Sequence, residues 1–275
     1  DIGKKGNPII NDPSMATEAD YIVMESTYGN RLHKPMSETI NELVEAIKVT
    51  FKRGGNVIIP AFSIGRTQDL LYDLNRLVRE GRLYNINVYI DSPLAEKATK
   101  TYLAHPECFD EEAKRLISGN VIGDAVKVKF THSVEESMAL NKIKSNAVII
   151  AGSGMCDGGR VRHHLKYNLW RPECSIIFVG FQARGTLGRR IVDGAKMVHI
   201  FGEEIAVKAK VYTLGGFSAH ADQKELLEWL SAFKGSPRVF VVHGEKETAV
   251  AFSELIKEKH GFVTHVPAKG KSYEL

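Results

Sequence analysis

The amino-acid sequence predicts an α/β fold, and two observations support it. Short apolar segments of strand length alternate with amphipathic segments of helical spacing, and short connections join them. From about residue 196 the hydrophobicity pattern of the sequence changes, and apolar and polar residues alternate within segments. The middle of the chain is therefore predicted to be one doubly wound unit. The two ends could form a different layer, with the middle inserted between them.

The first part of the chain alternates predicted strands and helices. The strands are apolar runs at 21–24, 56–62, 87–91, 126–130, 147–151 and 175–180. The helices have apolar side chains at helical spacing and cover 37–51, 67–80, 110–118, 134–143 and 158–169. Gly54 and Gly55 end the first of them. Pro93 suits the first turn of a further helix, and Ser133 with Glu136 predicts a capping box.

The C-terminal part continues with different elements. Residues 197–201 and 205–214 have the alternation of two strands and predict a hairpin around Gly202. The remaining elements are a helix at 222–233, a strand at 238–242, a helix at 247–260 and a strand at 262–266. Gly261 stands between the last two, where a helix-ending glycine is expected.

The composition excludes several classes of protein. Of 275 residues, 43% are hydrophobic and 25% charged, which is typical of a globular chain and not of a disordered one. The apolar stretch 57–62 is far shorter than the roughly 20 residues that span a bilayer. Three cysteines without a CxxC pair argue against a disulfide framework or a cysteine zinc finger. We expect a reduced, cytoplasmic protein that does not contact a membrane.

Positive charge concentrates between Arg160 and Arg190. This segment holds seven Lys or Arg residues against one acid, Glu173, a local excess of six positive charges. Such a surface suits a polyanion such as nucleic acid, with Arg160, Arg184 and Arg189 as candidate phosphate contacts. The alternative is a solvated face of two helices.

Several loops at the carboxyl ends of predicted strands carry reactive residues, and ligands of open α/β sheets gather at that edge. Glu25 directly follows the first strand and is either a general acid–base group or an acceptor for nearby backbone amides. The loop 152–159, with Ser153 and Gly154, opens a helix, and its amides either bind phosphate or form a tight glycine turn. Ser63 stands at a strand–helix junction like a nucleophile elbow, although the first glycine of that motif is absent.

Two histidines also follow predicted strands. His220 comes after the strand 205–214, and His243 comes directly after the strand 238–242. A single histidine is usually structural, but adjacent parallel strands would place two such side chains near each other. These two are therefore candidates for chemistry, and the other eight histidines are expected to be structural or on the surface.

Six short motifs occur in a distinctive order along the chain. They are ESTYG at 25–29, PAFSIGR at 60–66, DSP at 91–93, GSGM at 152–155, FSAHAD at 217–222 and VHGE at 242–245. Each alone is weak evidence, but six in order with matching strand contexts are strong evidence. Over essentially its whole length the sequence resembles the β-CASP branch of the metallo-β-lactamase superfamily, a group of nucleic-acid nucleases.

The resemblance implies a fold and an activity. It implies a β-CASP α/β domain at 33–195, inserted into a metallo-β-lactamase αββα domain formed by 1–32 and 196–275. The implied function is a zinc-dependent endonuclease acting on single-stranded RNA, with 5′–3′ exonuclease activity as an additional option. The RNA would enter between the domains, and a homodimer is compatible with the family.

The resemblance also implies roles for particular residues. It makes Asp1 the carboxylate that bridges two zinc ions and His243 a ligand to one of them. Glu25 and His220 would form a pair in which His220 contacts the scissile phosphate and protonates the departing 3′-oxygen. These roles suit the chemistry, because two zinc ions can clamp both oxygens of an in-line displacement and a carboxylate fixes the tautomer of its histidine.

One departure from the family pattern is large. The family's His-x-His-x-Asp-His run precedes the bridging Asp, and this sequence starts at that Asp. Asp1 and His243 are then only two of the expected ligands, whereas zinc takes three or four protein donors. We therefore expect a piece of a longer chain that is inactive alone. The alternatives are a non-catalytic RNA-binding subunit of the same fold and an unrelated α/β hydrolase that uses Ser63.

Overall fold

The computed structural model describes residues 1–111, 113–114 and 125–274. Contacts divide the chain into a first unit of residues 1–7, 11–33 and 218–275 and a second unit of residues 8–10 and 34–217. Both ends of the chain thus belong to one unit, and the middle forms the other.

The elements alternate along the chain as the sequence predicts. The strands are β1 (Tyr21–Glu25), β2 (Val57–Pro60), β3 (Asn87–Asp91), β4 (Lys127–Phe130), β5 (Ala147–Ala151), β6 (Ser175–Phe178), β7 (Met197–Ile200), β8 (Glu203–Ala206), β9 (Lys210–Thr213), β10 (Arg238–Val242) and β11 (Thr264–His265). The helices are α1 (Met36–Lys52), α2 (Arg66–Arg79), α3 (Pro93–Ala104), α4 (Val134–Leu140), α5 (Val161–Asn168), α6 (Leu187–Val192), α7 (Gln223–Leu230) and α8 (Lys246–His260). Most of the helix predicted at 110–118 lies outside the described residues.

The second unit is built on a parallel sheet of six strands in the order β4-β3-β5-β2-β6-β9. Alternate side chains of each strand point to opposite faces, so Ile59 and Ile150 join one hydrophobic cluster, whereas Ile58 and Ile149 join another. Helices α1 and α2 cover the first face, and α5 and α6 cover the second. Burial on both faces is typical of parallel sheets and confirms the prediction of a doubly wound α/β unit.

The predicted strand 205–214 is two strands in the structure. Its first part, β8, forms the expected antiparallel hairpin with β7, and its second part, β9, pairs in parallel with β6. Because of this pairing, residues 196–217 pack in the second unit, whereas the change of hydrophobicity pattern assigns them to the C-terminal domain. The domain limits 1–32, 33–195 and 196–275 remain a prediction.

The first unit is built on a parallel sheet of three strands with β10 in the centre. One face packs against α7 and α8, where Met24, Leu226, Val241 and Phe252 are buried together. On the opposite face of β1, Val23 is 70% exposed. Helix α8 ends as predicted, at Gly261 in the left-handed conformation with φ of 70°. Among the described residues, no helix has both the length and the apolar character to cross a bilayer.

Candidate active site

Glu25 and His243 lie at the same edge of the three-stranded sheet. Glu25 ends β1 and is in parallel register with Val242, which ends β10, and His243 is the next residue. The backbone carbonyl of His243 accepts hydrogen bonds from the Ser26 amide at 3.3 Å and from the Thr27 hydroxyl at 3.1 Å. The pairing of two parallel strands and these two bonds therefore fix the positions of a carboxylate and an imidazole.

His220 lies in the loop that leads into α7. Asp222 caps this helix by accepting a hydrogen bond from the Glu225 amide, and the Glu225 side chain accepts one from the Asp222 amide. The second carboxylate oxygen of Asp222 accepts the His33 amide at 2.9 Å. His33 Nε2 lies 3.0 Å from the backbone oxygen of His220 and must carry the proton, since a carbonyl oxygen only accepts. The loop is thus held at one end by the helix cap of Asp222, and at His220 by the hydrogen bond from His33 to the backbone carbonyl.

His220 and Glu25 form a direct pair. His220 Nδ1 lies 2.6 Å from Glu25 Oε2, and the Ile2 amide donates to the other carboxylate oxygen at 2.9 Å. Burial of Glu25 opposes ionisation. The hydrogen bond and charge of His220, with the Ile2 amide, outweigh it and lower the pKa of the Glu25 carboxyl below its ordinary value. Glu25 is therefore a carboxylate at neutral pH, and it leaves Nε2 of His220 available.

Asp1 completes a group of four potential ligands with Glu25, His220 and His243. Their donor atoms all lie within 4.8 Å of one another. Asp1 Oδ1 is 2.9 Å from His243 Nδ1 and 3.9 Å from His220 Nδ1. The side chains of Asp1 and His243 are 55% and 58% exposed, whereas Glu25 and His220 already satisfy each other. Carboxylate oxygen and imidazole nitrogen are zinc donors, so Asp1 and His243 can supply two of the three or four protein ligands that zinc takes.

The loop that contains Ser153 and Gly154 is closed on itself. The Ser153 amide donates to the Gly158 carbonyl at 3.1 Å, and the Gly158 amide donates back to the Ser153 hydroxyl at 3.4 Å. Gly159 has φ of 72°, and a Cβ there would lie 2.3 Å from the Gly152 carbonyl oxygen. This geometry favours a tight glycine turn. Phosphate binding by Ser153 and Gly154 stays a prediction.

Arg160, expected to contact phosphate, is bound to the buried carboxylate of Asp91, which belongs to the DSP motif but has no role assigned from the sequence. Asp91 accepts hydrogen bonds from Arg160 Nη1 at 2.8 Å, from His164 Nε2 and Ser137 Oγ at 2.6 Å each, and from Thr131 Oγ1. Burial opposes ionisation of Asp91, but these donors outweigh it, and its pKa lies far below the ordinary value. In the sequence, the feature that could have indicated this network is an acidic residue, Asp91, at the end of a predicted strand.

Other cations between Arg160 and Arg190 also have acidic partners. The pairs are Lys166 with Glu203, Arg171 with Glu173 and Arg189 with Asp193, at 2.6, 2.9 and 2.8 Å. Two of these acids stand outside the segment, as does Asp91. The local excess of positive charge is therefore smaller than the sequence of the segment indicates. The roles of Arg160, Arg184 and Arg189 toward RNA remain predictions.

Two of the sequence predictions have different physical grounds in the structure. His220 and His243 are close, with ring centroids 5.3 Å apart, but they do not follow adjacent strands. The strand before His220 is β9, which belongs to the six-stranded sheet, whereas His243 follows β10.

The Ser63 hydroxyl lies 2.8 Å from the Ser92 hydroxyl, a partner that cannot serve as the base of a serine hydrolase.

Comparison with known proteins identifies the family. Residues 67–191 match the Beta-Casp domain, and residues 204–267 match the Zn-dependent metallo-hydrolase RNA specificity domain. Ribonuclease TTHA0252 of Thermus thermophilus is 40% identical over 257 residues, which cover 93% of this chain and 58% of that protein. The RNase J-like protein of Methanocaldococcus jannaschii is 34% identical over 257 residues, with 92% and 58% covered. Transcription termination factor FttA of Pyrococcus horikoshii is 36% identical over 256 residues, with 90% and 39% covered.

The chain therefore belongs to the β-CASP family of metallo-β-lactamase-fold proteins, as the six motifs predict. It spans between 39% and 58% of the length of these three curated relatives.

Proposed function

We propose that this chain is part of a zinc-dependent ribonuclease that hydrolyses phosphodiester bonds in single-stranded RNA. The observation that carries the proposal is the group Asp1, Glu25, His220 and His243, whose donor atoms lie within 4.8 Å of one another. The names of the relatives, ribonuclease and RNase J-like protein, support RNA as the substrate. Endonucleolytic cleavage is the principal activity, with 5′–3′ exonucleolytic cleavage as an extension of the same chemistry.

Asp1 and His243 are the metal ligands in this proposal. They are half-exposed, and their donor atoms are 2.9 Å apart. Asp1 and His243 would together hold the metal, with the remaining ligands coming from the part of the protein outside this sequence. When bound, zinc supplies a Lewis acid for the phosphate and lowers the pKa of a coordinated water to about 7.

The Glu25–His220 pair is the proton donor to the leaving group. Glu25 accepts the Nδ1–H of His220 at 2.6 Å, which fixes the orientation and tautomer of the ring and leaves Nε2 for the leaving group. Water adds to phosphorus and releases one proton to the solvent, the bond from phosphorus to the 3′-oxygen breaks, and the proton on His220 Nε2 passes to that oxygen. His220 then takes up a proton from the solvent, so one water is consumed in each cleavage. The products are a 5′-phosphate and a free 3′-hydroxyl. His33, which fixes the backbone of His220, positions the donor without contacting the reacting atoms.

Two variants of the full-length protein test the two roles separately. His243→Ala should lose zinc and activity together. His220→Ala should keep its zinc but lose about 10²–10⁴-fold in rate, the usual contribution of general acid catalysis. Metal analysis beside cleavage of a labelled single-stranded RNA gives both readouts, and His199→Ala, an exposed histidine on β7, is the matched control.

Two results would contradict the proposal. Full activity in His220→Ala would remove the acid role. A wild-type protein that binds RNA in the presence of zinc but never cleaves it would favour the alternative, a non-catalytic RNA-binding subunit. The proximity of all four site residues favours the enzyme over that alternative.

A further inference from the structure

Helix α5 in the second unit exposes a row of aromatic side chains. His163, Tyr167 and Trp170 are spaced i, i+4 and i+7, which places them on one side of the helix and the turn that ends it. Tyr167 is 46% exposed and Trp170 is 51% exposed. The opposite side carries buried Val161 and Leu165, which pack against the six-stranded sheet. The helix therefore has an ordinary apolar face toward the core and a second, aromatic face toward solvent.

The tip of the β7–β8 hairpin extends this row. Phe201 stands at the turn with φ of 54°, and this residue is 44% exposed. The Phe201 and His163 ring centroids are 4.5 Å apart with an interplanar angle of 31°, and the Arg162 guanidinium lies 4.5 Å from the Phe201 centroid. We call Phe201, His163, Tyr167 and Trp170 the aromatic stripe.

Positive charge accompanies the aromatic stripe. Helix α5 contains no acidic residue, and its cations are Arg162 and Lys166, of which Lys166 pairs with Glu203. Exposed aromatic rings beside cations are the recurring surface for single-stranded nucleic acid, because every base can stack and the backbone is anionic. A second copy of the chain suits this surface less well, since a two-fold contact would bring the same cations face to face.

The spacing of the rings also suits a single strand. Four residues of α-helix advance by about 6 Å, so neighbouring rings of the stripe can each take one base of an extended strand. Paired bases in a duplex are stacked on one another and offer no free faces. The stripe should therefore distinguish single-stranded from double-stranded RNA.

We propose that the aromatic stripe binds single-stranded RNA by base stacking, with Arg162 and Lys166 contacting the phosphates. The choice of RNA as partner rests on the proposed function. The stripe belongs to the second unit, whereas the four residues of the candidate active site belong to the first. Binding at the stripe and hydrolysis at the site can therefore be measured apart.

Tryptophan fluorescence gives a direct test in the full-length protein. Within this sequence the two tryptophans are Trp170 and Trp229, so Trp229→Phe, with any tryptophans outside this sequence also changed to Phe, leaves Trp170 as the reporter. Oligoadenylate longer than the stripe should quench this fluorescence saturably, and an RNA duplex of equal length should not. Absence of quenching by oligoadenylate would overturn the proposal.

A pair of double variants tests the stacking contribution. Tyr167→Ala with Trp170→Ala should weaken oligoadenylate binding, measured by anisotropy, by roughly 5- to 150-fold for each base that no longer stacks. Tyr167→Phe with Trp170→Phe should retain most of the affinity, because the rings remain. Tyr84→Ala removes a 69% exposed tyrosine elsewhere in the second unit and is the control, with no change expected.

The outcomes separate this inference from the proposed function. If the wild-type protein cleaves RNA and the alanine double variant binds oligoadenylate with unchanged affinity, the inference about the aromatic stripe is wrong. The proposed nuclease function is then unaffected. If the protein does not cleave RNA but binds oligoadenylate through the aromatic stripe, the proposed nuclease function is wrong and the inference about the stripe holds. Loss of a dimer in the double variant, with RNA binding unchanged, would mark the stripe as a protein interface and also overturn the inference.

Discussion

His220 Nδ1 lies 2.6 Å from Glu25 Oε2, although 195 residues separate them in the chain. The remaining oxygen of Glu25 accepts the Ile2 amide, and the side chain is buried. Both carboxylate oxygens are therefore engaged, which sets the orientation of the imidazole and leaves metal binding to Asp1 and His243.

Replacing Glu25 with Gln tests this orientation. The amide can accept from Nδ1, but it carries no charge and can also turn its NH₂ group toward the ring, so the hydrogen bond that orients His220 is weakened. We expect zinc content to be retained and RNA cleavage to fall by about 10²–10⁴-fold. The readout is kcat/KM with metal analysis in parallel. Glu228→Gln, which removes an exposed partner of Lys5, should leave both unchanged. Wild-type kcat/KM in Glu25→Gln would contradict the assigned pairing.

The Asp91 network predicts how stability depends on pH. The folded-state pKa of Asp91 lies below the unfolded value of about 3.9, so its contribution is fully present above that pH and is lost as the pH falls toward the folded value. Asp91→Asn should lower the free energy of unfolding at pH 7 by about 3–5 kcal/mol, since it leaves buried donors without their carboxylate. At pH 3 and below the difference should shrink. Urea denaturation followed through Trp170, in a Trp229→Phe background, measures the second unit. A difference independent of pH would contradict the assignment.

Asp222 should contribute more than an ordinary helix cap. It caps α7 and also accepts the His33 amide, whereas Thr186 caps α6 through its side chain. Thr186→Ala should cost about 1 kcal/mol, the typical value for a lost N-cap, and Asp222→Ala should cost more. Asp222→Asn, which keeps an acceptor, should be milder than Asp222→Ala. Urea denaturation followed through Trp229 reports Asp222, and Trp170 reports Thr186. Equal losses in the two alanine variants would show that the bond to His33 adds nothing.

The basic segment predicts a change in salt dependence. Changing Arg184, Arg189 and Arg190 together to Ala should weaken RNA binding and reduce the slope of log affinity against log salt. The reduction should be about 0.7 for each phosphate that the protein no longer neutralises. A control with the same loss of charge changes Lys246, Lys257 and Lys259 on α8. An unchanged slope in the arginine variant would show that these side chains face solvent without binding RNA.

The sequence indicates the positions of most candidate site residues, because those positions depend on local patterns. Glu25 and His243 each follow an apolar parallel strand, and the register of β1 with β10 brings them together as that pattern indicates. His220 was found for an incorrect reason, since the preceding β9 pairs with β6 in the other sheet. The alternation within 205–214 predicts a strand but not its partner, which depends on tertiary packing.

Other features depend on contacts that no local pattern contains. In the sequence, His33 lies just after the ESTYG motif and in no recognisable pattern. Its role depends on a hydrogen bond to the backbone carbonyl of His220, which is distant in the chain. The partners of Asp91 come from three separate elements of the chain. The charge excess between Arg160 and Arg190 was overestimated because Asp91, Asp193 and Glu203 lie outside that segment.

The pairing of β1 with β10 has a consequence for synthesis on the ribosome. Ser26 donates a hydrogen bond to the carbonyl of Val242, which is 216 residues later in the chain. The segment 34–217 leaves the ribosome before β10 does, so the second unit can fold while β1 still lacks its neighbour. Long-range parallel pairing is slow, and until it forms the strand exposes Ile22 and Met24, which the folded structure buries. Nascent chains stalled just after residue 217 has left the ribosome should therefore resist protease across the middle and be cut between residues 11 and 33.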